Sequence, residues 1–130
     1  MNFKTLSIII LALGAILFTN CTKEEIVNNK IPIAEAGESR TIQLQESEGS
    51  ATLTGTGADA DGKVVAYLWS QISGPNASEI VNEGSPSTEV RKLIDGTYTY
   101  QLMVIDDGGA TGVDTASLTV KGPVFVTLTQ

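Results

Sequence analysis

The 130-residue sequence contains no histidine, a single cysteine and few aromatic side chains. Without histidine, the usual general base near neutral pH, imidazole metal ligands, and Ser-His or Cys-His nucleophile pairs are missing. A single cysteine allows no internal disulfide bond. We therefore do not expect an enzyme, because only carboxylate pairs would remain, and these need a substrate cleft for which a small domain has little room.

Basic residues are also scarce. The chain has 8 basic and 15 acidic residues, which gives a net charge of −7. Removal of residues 1–20 would take away Lys4 alone and leave 7 basic residues against 15 acidic ones, a net charge of −8. A negative field of this size repels phosphate backbones and anionic headgroups, so we expect neither nucleic-acid binding nor direct headgroup binding.

An apolar run covers residues 6–18 and falls short of the ~20 residues that a membrane-spanning helix needs. With Lys4 before it, this run is typical of a secretory signal peptide. The segment Leu17-Phe18-Thr19-Asn20-Cys21 resembles the lipobox of bacterial lipoproteins, in which the cysteine receives a diacylglyceryl group. The resemblance implies a signal peptide over residues 1–20 and a membrane anchor through lipid on Cys21. The alternative is a conventional signal peptide that leaves a free thiol.

Residues 21–30 are polar and predict a lipidated tether ahead of a folded domain. Thr22-Lys23-Glu24-Glu25 resembles the surface-export signal of lipoproteins in one group of Gram-negative bacteria. The alternative is a charged, solvated tether with no export role. Together these features predict a lipid-anchored protein of the cell envelope, in the outer membrane and exposed at the surface if the export interpretation holds.

From residue 31 onward, short alternating runs are separated by turn residues, such as Asp61-Gly62, Asp95-Gly96 and Asp107-Gly108-Gly109. About seven short strands at this spacing indicate an all-β, two-sheet sandwich. The candidate strands are 31–34, 41–44, 51–54, 63–73, 79–81, 88–93, 97–105 and 110–120.

The period-2 alternation of the three longest candidates predicts which side chains form the core. Trp69 and Tyr67 could instead form a sugar-stacking platform, but their position in mid-strand favours the core. The predicted core positions are Val65, Tyr67 and Trp69, then Tyr98, Tyr100, Leu102 and Val104, and finally Ala116, Leu118 and Val120.

Four motifs follow one another along the folded part of the sequence. They are Pro32-Ile33-Ala34-Glu35-Ala36-Gly37, the small-residue loop from Leu53 to Gly62 that ends in Asp59-Ala60-Asp61-Gly62, Tyr67-Leu68-Trp69-Ser70-Gln71-Ile72-Ser73-Gly74-Pro75, and Gly96-Thr97-Tyr98 with Leu102, Val104 and Asp106. In this order they resemble the motifs of PKD-like (polycystic kidney disease-type) domains, and the resemblance covers nearly all of residues 31–121. It implies an immunoglobulin-like sandwich that serves as a spacer or as a protein- or carbohydrate-contacting module.

Four carboxylates are expected at one end of this sandwich, because the loop with Asp59 and Asp61 and the hairpin with Asp106 and Asp107 emerge together. Oxygen-rich clusters suit Ca²⁺, and the resemblance implies calcium binding at these four residues in some PKD-like domains. Asp before Gly is also ordinary turn chemistry, in which the side chains face water. We favour the turn interpretation, expect no cofactor to be required, and keep calcium as the alternative.

The predicted function is a non-catalytic cell-envelope lipoprotein whose PKD-like domain is an adhesion, binding or spacer module with a protein or glycan ligand. The alternative is an accessory module that presents carbohydrate or protein substrate to a degradative surface system. We expect a monomer. The tether should join the end of the sandwich that carries the aspartates, and residues 122–130 should leave the opposite end as a strand-like tail without an obvious partner.

Overall fold

The computed structural model describes residues 28–130. In this range the chain is all-β, with nine strands. No helical segment among these residues has the length and apolar character needed to cross a membrane. The predicted signal peptide, Cys21 and most of the predicted tether lie outside the described residues.

Two sheets face each other and a short two-stranded ribbon completes the sandwich. The four-stranded sheet has the order β2-β9-β8-β5, the three-stranded sheet β3-β7-β6, and the ribbon β1-β4. β2 runs parallel to β9, whereas the other pairs are antiparallel. The strands are β1 (Ile33–Glu35), β2 (Arg40–Gln43), β3 (Gly49–Thr54), β4 (Thr56–Ala58), β5 (Val64–Ser73), β6 (Glu79–Ile80), β7 (Ser87–Leu93), β8 (Gly96–Asp106) and β9 (Thr111–Lys121).

The β8–β9 hairpin is the longest regular element. Ten residue pairs follow one another without a register shift, from Gly96 with Val120 to Ile105 with Thr111. Alternate side chains enter the core, where they meet Leu53, Val90 and Leu93 of the facing sheet. The core positions predicted on these two strands are confirmed: Tyr98, Tyr100, Leu102, Val104, Ala116, Leu118 and Val120 are all buried.

The predicted inward face of β5 is wrong at Val65. A β-bulge sets Val64 opposite Asp106 and Ala66 opposite Ile105, so Val65 is the additional residue. The bulge reverses the alternation, and Val65 is 54% exposed while Val64 packs against the core. Trp69 is 1% exposed, as expected of a core residue, whereas Tyr67 is only partly buried.

The ribbon also departs from expectation, because β4 lies inside the segment predicted as a loop of small residues. That segment needs small residues for close approach. A Cβ atom on Gly55 would lie 2.4 Å from Cδ2 of Leu102, and one on Gly57 would lie 2.9 Å from Cγ1 of Val104. The glycines therefore let β4 lie directly against core side chains, where it pairs with β1.

The sandwich has two distinct ends. At the tether end, Nδ2 of Asn29 donates to both carboxylate oxygens of Asp106 at 3.0 and 3.1 Å. At the far end, the backbone N–H of Gly122 donates to Asp95 at 2.9 Å. The eleven residues of β8 connect the two ends and cover roughly 33 Å at the usual rise of a strand. The entering and leaving segments are thus on opposite ends, as the topology predicted.

We predict that Gly112→Ala lowers the free energy of unfolding by about 1–3 kcal/mol, the usual range for overpacking. A Cβ at residue 112 would lie 1.9 Å from the backbone oxygen of Pro32, which cannot rotate away as a side chain could. Gly84→Ala is the matched control, because its Cβ would meet no atom closer than 3.8 Å. Urea unfolding monitored by Trp69 fluorescence measures both variants, and equal stability of the two would contradict the prediction.

Candidate functional site

The four predicted aspartates lie at the tether end, in the turn before β5 and in the β8–β9 hairpin. The backbone N–H of Asp61 is 3.5 Å from Oδ1 of Asp59. A Cβ on Gly62 would lie 2.2 Å from Oδ1 of Asp107 and 2.6 Å from Oδ2 of Asp59, so these two carboxylates flank that glycine. The absence of a side chain at residue 62 is what lets the two loops meet.

Each of the four carboxylates accepts at least one hydrogen bond from a backbone N–H group. Asp106, which is 2% exposed, accepts from the N–H groups of Gly108 and Ala110 at 2.9 and 2.8 Å, in addition to Asn29. The side chain of Asp107 accepts from the N–H of Lys63 at 3.2 Å. The bonds of Asp106 to Gly108 and Ala110 are local turn bonds. The bond of Asp107 to Lys63 instead joins two loops, and the expectation that these side chains face water is wrong for the buried Asp106.

Asp61 contributes to the attachment of the tether, because its carboxylate accepts from the N–H of Lys30 at 3.1 and 3.3 Å. Asn29 and Lys30 were assigned to the polar tether, and sequence reasoning missed their role. Within residues 28–130, no group of three or more acidic side chains is arranged to hold a metal ion. Calcium binding at these aspartates stays a prediction.

Asp59 is the strained member of this group. Its Oδ2 is buried and has no hydrogen-bond partner among the described residues. Desolvation raises the pKa of Asp59, and the nearby carboxylates of Asp61 and Asp106 raise that pKa further. Because the folded protein disfavours the charged form, ionised Asp59 opposes folding, and protonation removes this penalty.

We therefore predict that Asp59→Asn raises the melting temperature at pH 7, where the wild-type carboxylate is ionised. The gain should shrink as the pH falls through the raised pKa of Asp59, since the wild type then carries a neutral side chain as well. Calorimetric melts between pH 3 and pH 7 measure this dependence. Glu46→Gln, at an exposed position in the loop after β2, is the control and should leave the melting temperature unchanged across this pH range. A gain independent of pH would contradict the prediction.

The same melts test calcium. If an ion neutralises the carboxylates, millimolar Ca²⁺ raises the melting temperature of the wild type and has a smaller effect on Asp59→Asn. An identical melt with Ca²⁺ and with chelator would exclude binding at this site, and the turn interpretation would account for all four aspartates.

A second candidate site is an open groove of about 600 Å³ beside the free edge of β5. Residues 69–74 form one wall, and residues between 76 and 83 form the other. The Gln71 side chain braces the second wall: its Nε2 donates to the backbone oxygen of Asn76 at 2.7 Å, and its Oε1 accepts from the N–H of Ser78 at 2.8 Å. The wall is therefore tied to β5 by the Gln71 side chain and by the backbone N–H of Trp69, which donates to the backbone oxygen of Glu83 at 2.8 Å.

Two core tyrosines continue this bracing into the sandwich. The Tyr98 hydroxyl accepts from the N–H of Ile94 at 3.0 Å and donates to Oδ1 of Asn76. The Tyr100 hydroxyl lies 2.8 Å from Oγ of Ser78, and burial raises the pKa of Tyr100. The two rings stack with centroids 6.1 Å apart. The groove is thus supported by a buried polar network rather than by loop packing alone.

Comparison with known proteins gives a consistent family match. A family model described as "K319L-like, PKD domain" matches residues 36–120. The "Dyslexia-associated protein KIAA0319-like protein" of Mus musculus is 36% identical over 109 residues, which are 82% of this chain and 10% of that protein. The chain thus spans about a tenth or less of the length of such relatives.

Solved structures agree on the architecture. The solution structure of the PKD domain from KIAA 1837 protein superposes with a TM-score of 0.64 at 26% identity, covering 78% of this chain and 98% of that domain. The PKD1 domain of Vibrio anguillarum Epp superposes with a TM-score of 0.55 at 28% identity, covering 74% of this chain and 100% of that domain.

Proposed function

We propose that this chain, which belongs to the K319L-like PKD domain family, is a non-catalytic, lipid-anchored module of the bacterial cell envelope. The lipid anchor rests on the lipobox-like segment that ends in Cys21, and not on the family match. In this proposal the sandwich acts as an extracellular spacer that holds a protein-binding surface away from the membrane. Cys21 carries the lipid, and residues 22–30 lead from it to the domain.

The observation that carries the proposal is the axial arrangement of the two ends. Asn29 and Lys30 are hydrogen-bonded to the aspartates of the tether end, so the chain enters the domain along a fixed path. Residues 22–29 can span at most roughly 28 Å when extended, so the tether end would stay close to the lipid. The far end would then lie one domain length further out, which is the geometry of a spacer.

Two further observations support a non-catalytic role. Histidine is absent from the sequence, and each of the four clustered aspartates accepts at least one hydrogen bond from a backbone N–H group of the protein itself. Such carboxylates hold turns and the tether, and the release of any of them for acid–base chemistry would break a structural bond. The acidic loops are therefore better suited to anchoring than to catalysis.

The geometry gives less support to a carbohydrate-presenting role. Trp69 is 1% exposed, and its indole Nε1 donates to the backbone oxygen of Ser85 at 3.1 Å. A sugar-stacking platform needs an exposed ring face, which this tryptophan lacks. The accessory role in a degradative system stays a prediction, and binding to insoluble polysaccharide in a pull-down assay is the result that would favour it.

We predict that Cys21→Ser abolishes lipidation of residue 21. In detergent phase partition of envelope fractions, the wild type should enter the detergent phase, with an acylated residue 21 as its N-terminus by mass spectrometry. The Cys21→Ser variant should carry no lipid by mass spectrometry, because serine offers no thiol for the diacylglyceryl thioether. Thr22→Ala is the control and should partition like the wild type.

Protease treatment of intact cells then distinguishes surface exposure from a periplasmic location. An unmodified Cys21 thiol in the native protein would contradict the anchor. A lipidated but protease-resistant protein would retain the anchor and contradict the surface-export interpretation of Thr22-Lys23-Glu24-Glu25.

A further inference from the structure

The free edge of β5 offers unpaired backbone groups to the groove. β5 is the last strand of its sheet, so one side of it is bonded to β8 and the other is open. The backbone N–H of Trp69 donates to the backbone oxygen of Glu83 at 2.8 Å and therefore points away from β8. Because backbone groups alternate sides along a strand, Gln71 directs its N–H and C=O the same way. No strand among residues 28–130 pairs with this stretch.

A second unpartnered element lies in the same chain. Residues 124–129 alternate as a strand does, yet they form no strand in the structure. Their apolar side chains are almost fully exposed, with Phe125 at 86% and Leu128 at 88%. The segment carries no charge, so it can approach another acidic copy of this chain without direct repulsion.

We propose that residues 124–129 of one copy pair with the β5 edge of a second copy, as an additional strand in the groove. This strand addition would start at the outward N–H and C=O of Gln71, next to the β-bulge between Gln71 and Ser73. It would pack the tail against the exposed Leu68 and Ile72 of the outer sheet face. The contact is head-to-tail, so each copy both donates a tail and offers an edge.

The free edge of β3 is less suitable. Arg40 covers it, where its guanidinium donates to the backbone oxygen of Thr52. Charged and side-chain-covered edges resist strand addition. Residues 69–73 of β5 carry no charge, so this edge lacks such a charged cover.

The tail is poorly placed to fill the groove of its own copy. β8 lies between β9 and β5, so the tail would have to cross two strand spacings, roughly 10 Å, at the far end. About three extended residues would be used in the crossing. Pro123 further restricts the turn that would start it. A second copy can present all of residues 124–129 without this loss.

The test is co-purification of two differently tagged full-length copies, co-expressed and extracted in mild detergent. We expect the wild-type pair to co-purify. For two copies that end at Lys121, the amount of co-purified partner should fall at least ten-fold. Two Ile72→Lys copies should lose the signal as well, because a charge at this 56% exposed edge position blocks pairing. Val113→Lys, at a 57% exposed position on β9, is the matched control and should retain it.

The head-to-tail arrangement makes a sharper prediction. A tail-less copy and an Ile72→Lys copy should recover co-purification with each other, because one still offers an edge and the other a tail. Val126→Lys should behave like the tail-less copy, and thermal melts verify that each variant is folded. Equal co-purification of two tail-less copies, failure of the mixed pair, or a monomeric wild type whose stability falls on tail removal would each overturn the proposal.

Discussion

The uninterrupted pairing of β8 with β9 is the constraint on which the rest of the structure depends. Because ten pairs follow without a shift, one face of both strands is committed to the core along the whole domain. The same hairpin fixes the two ends: its turn holds Asp106 and Asp107 beside the tether, and its open end holds Gly96 and Gly122. The tether attachment and the departure of the tail both follow from that one pairing.

Regular alternation made the centre of the fold predictable from the sequence. The inward faces of β8 and β9 follow a strict two-residue period, and the structure has them as expected. Val65 was assigned to the wrong face because a β-bulge shifts the alternation by one residue. No residue type near Val65 indicates that a bulge is present. β4 was missed because Gly57 within it and Gly55 just before it are typical of turns, while their role here is close packing against Val104 and Leu102.

The candidate sites were predictable to different degrees. Loop topology placed the four aspartates together, but their orientation depends on which N–H groups lie within reach, and sequence spacing does not contain that information. Asn29 and Lys30 each bond to a residue more than thirty positions away in the sequence. No local sequence pattern could therefore indicate these bonds. The groove beside β5 depends likewise on long-range bracing through Gln71 and Tyr98.

The parallel pairing of β2 with β9 has a mechanical consequence. Four consecutive pairs, from Arg40 with Leu118 to Gln43 with Lys121, join β2, the second strand after the entering segment, to β9, the last strand before the leaving segment. A force that stretches the domain between its ends pulls these two strands in opposite directions along their own axes. The hydrogen bonds between them are then sheared together instead of opening one after another, so the domain resists extension most strongly in the direction in which a surface tether would be pulled.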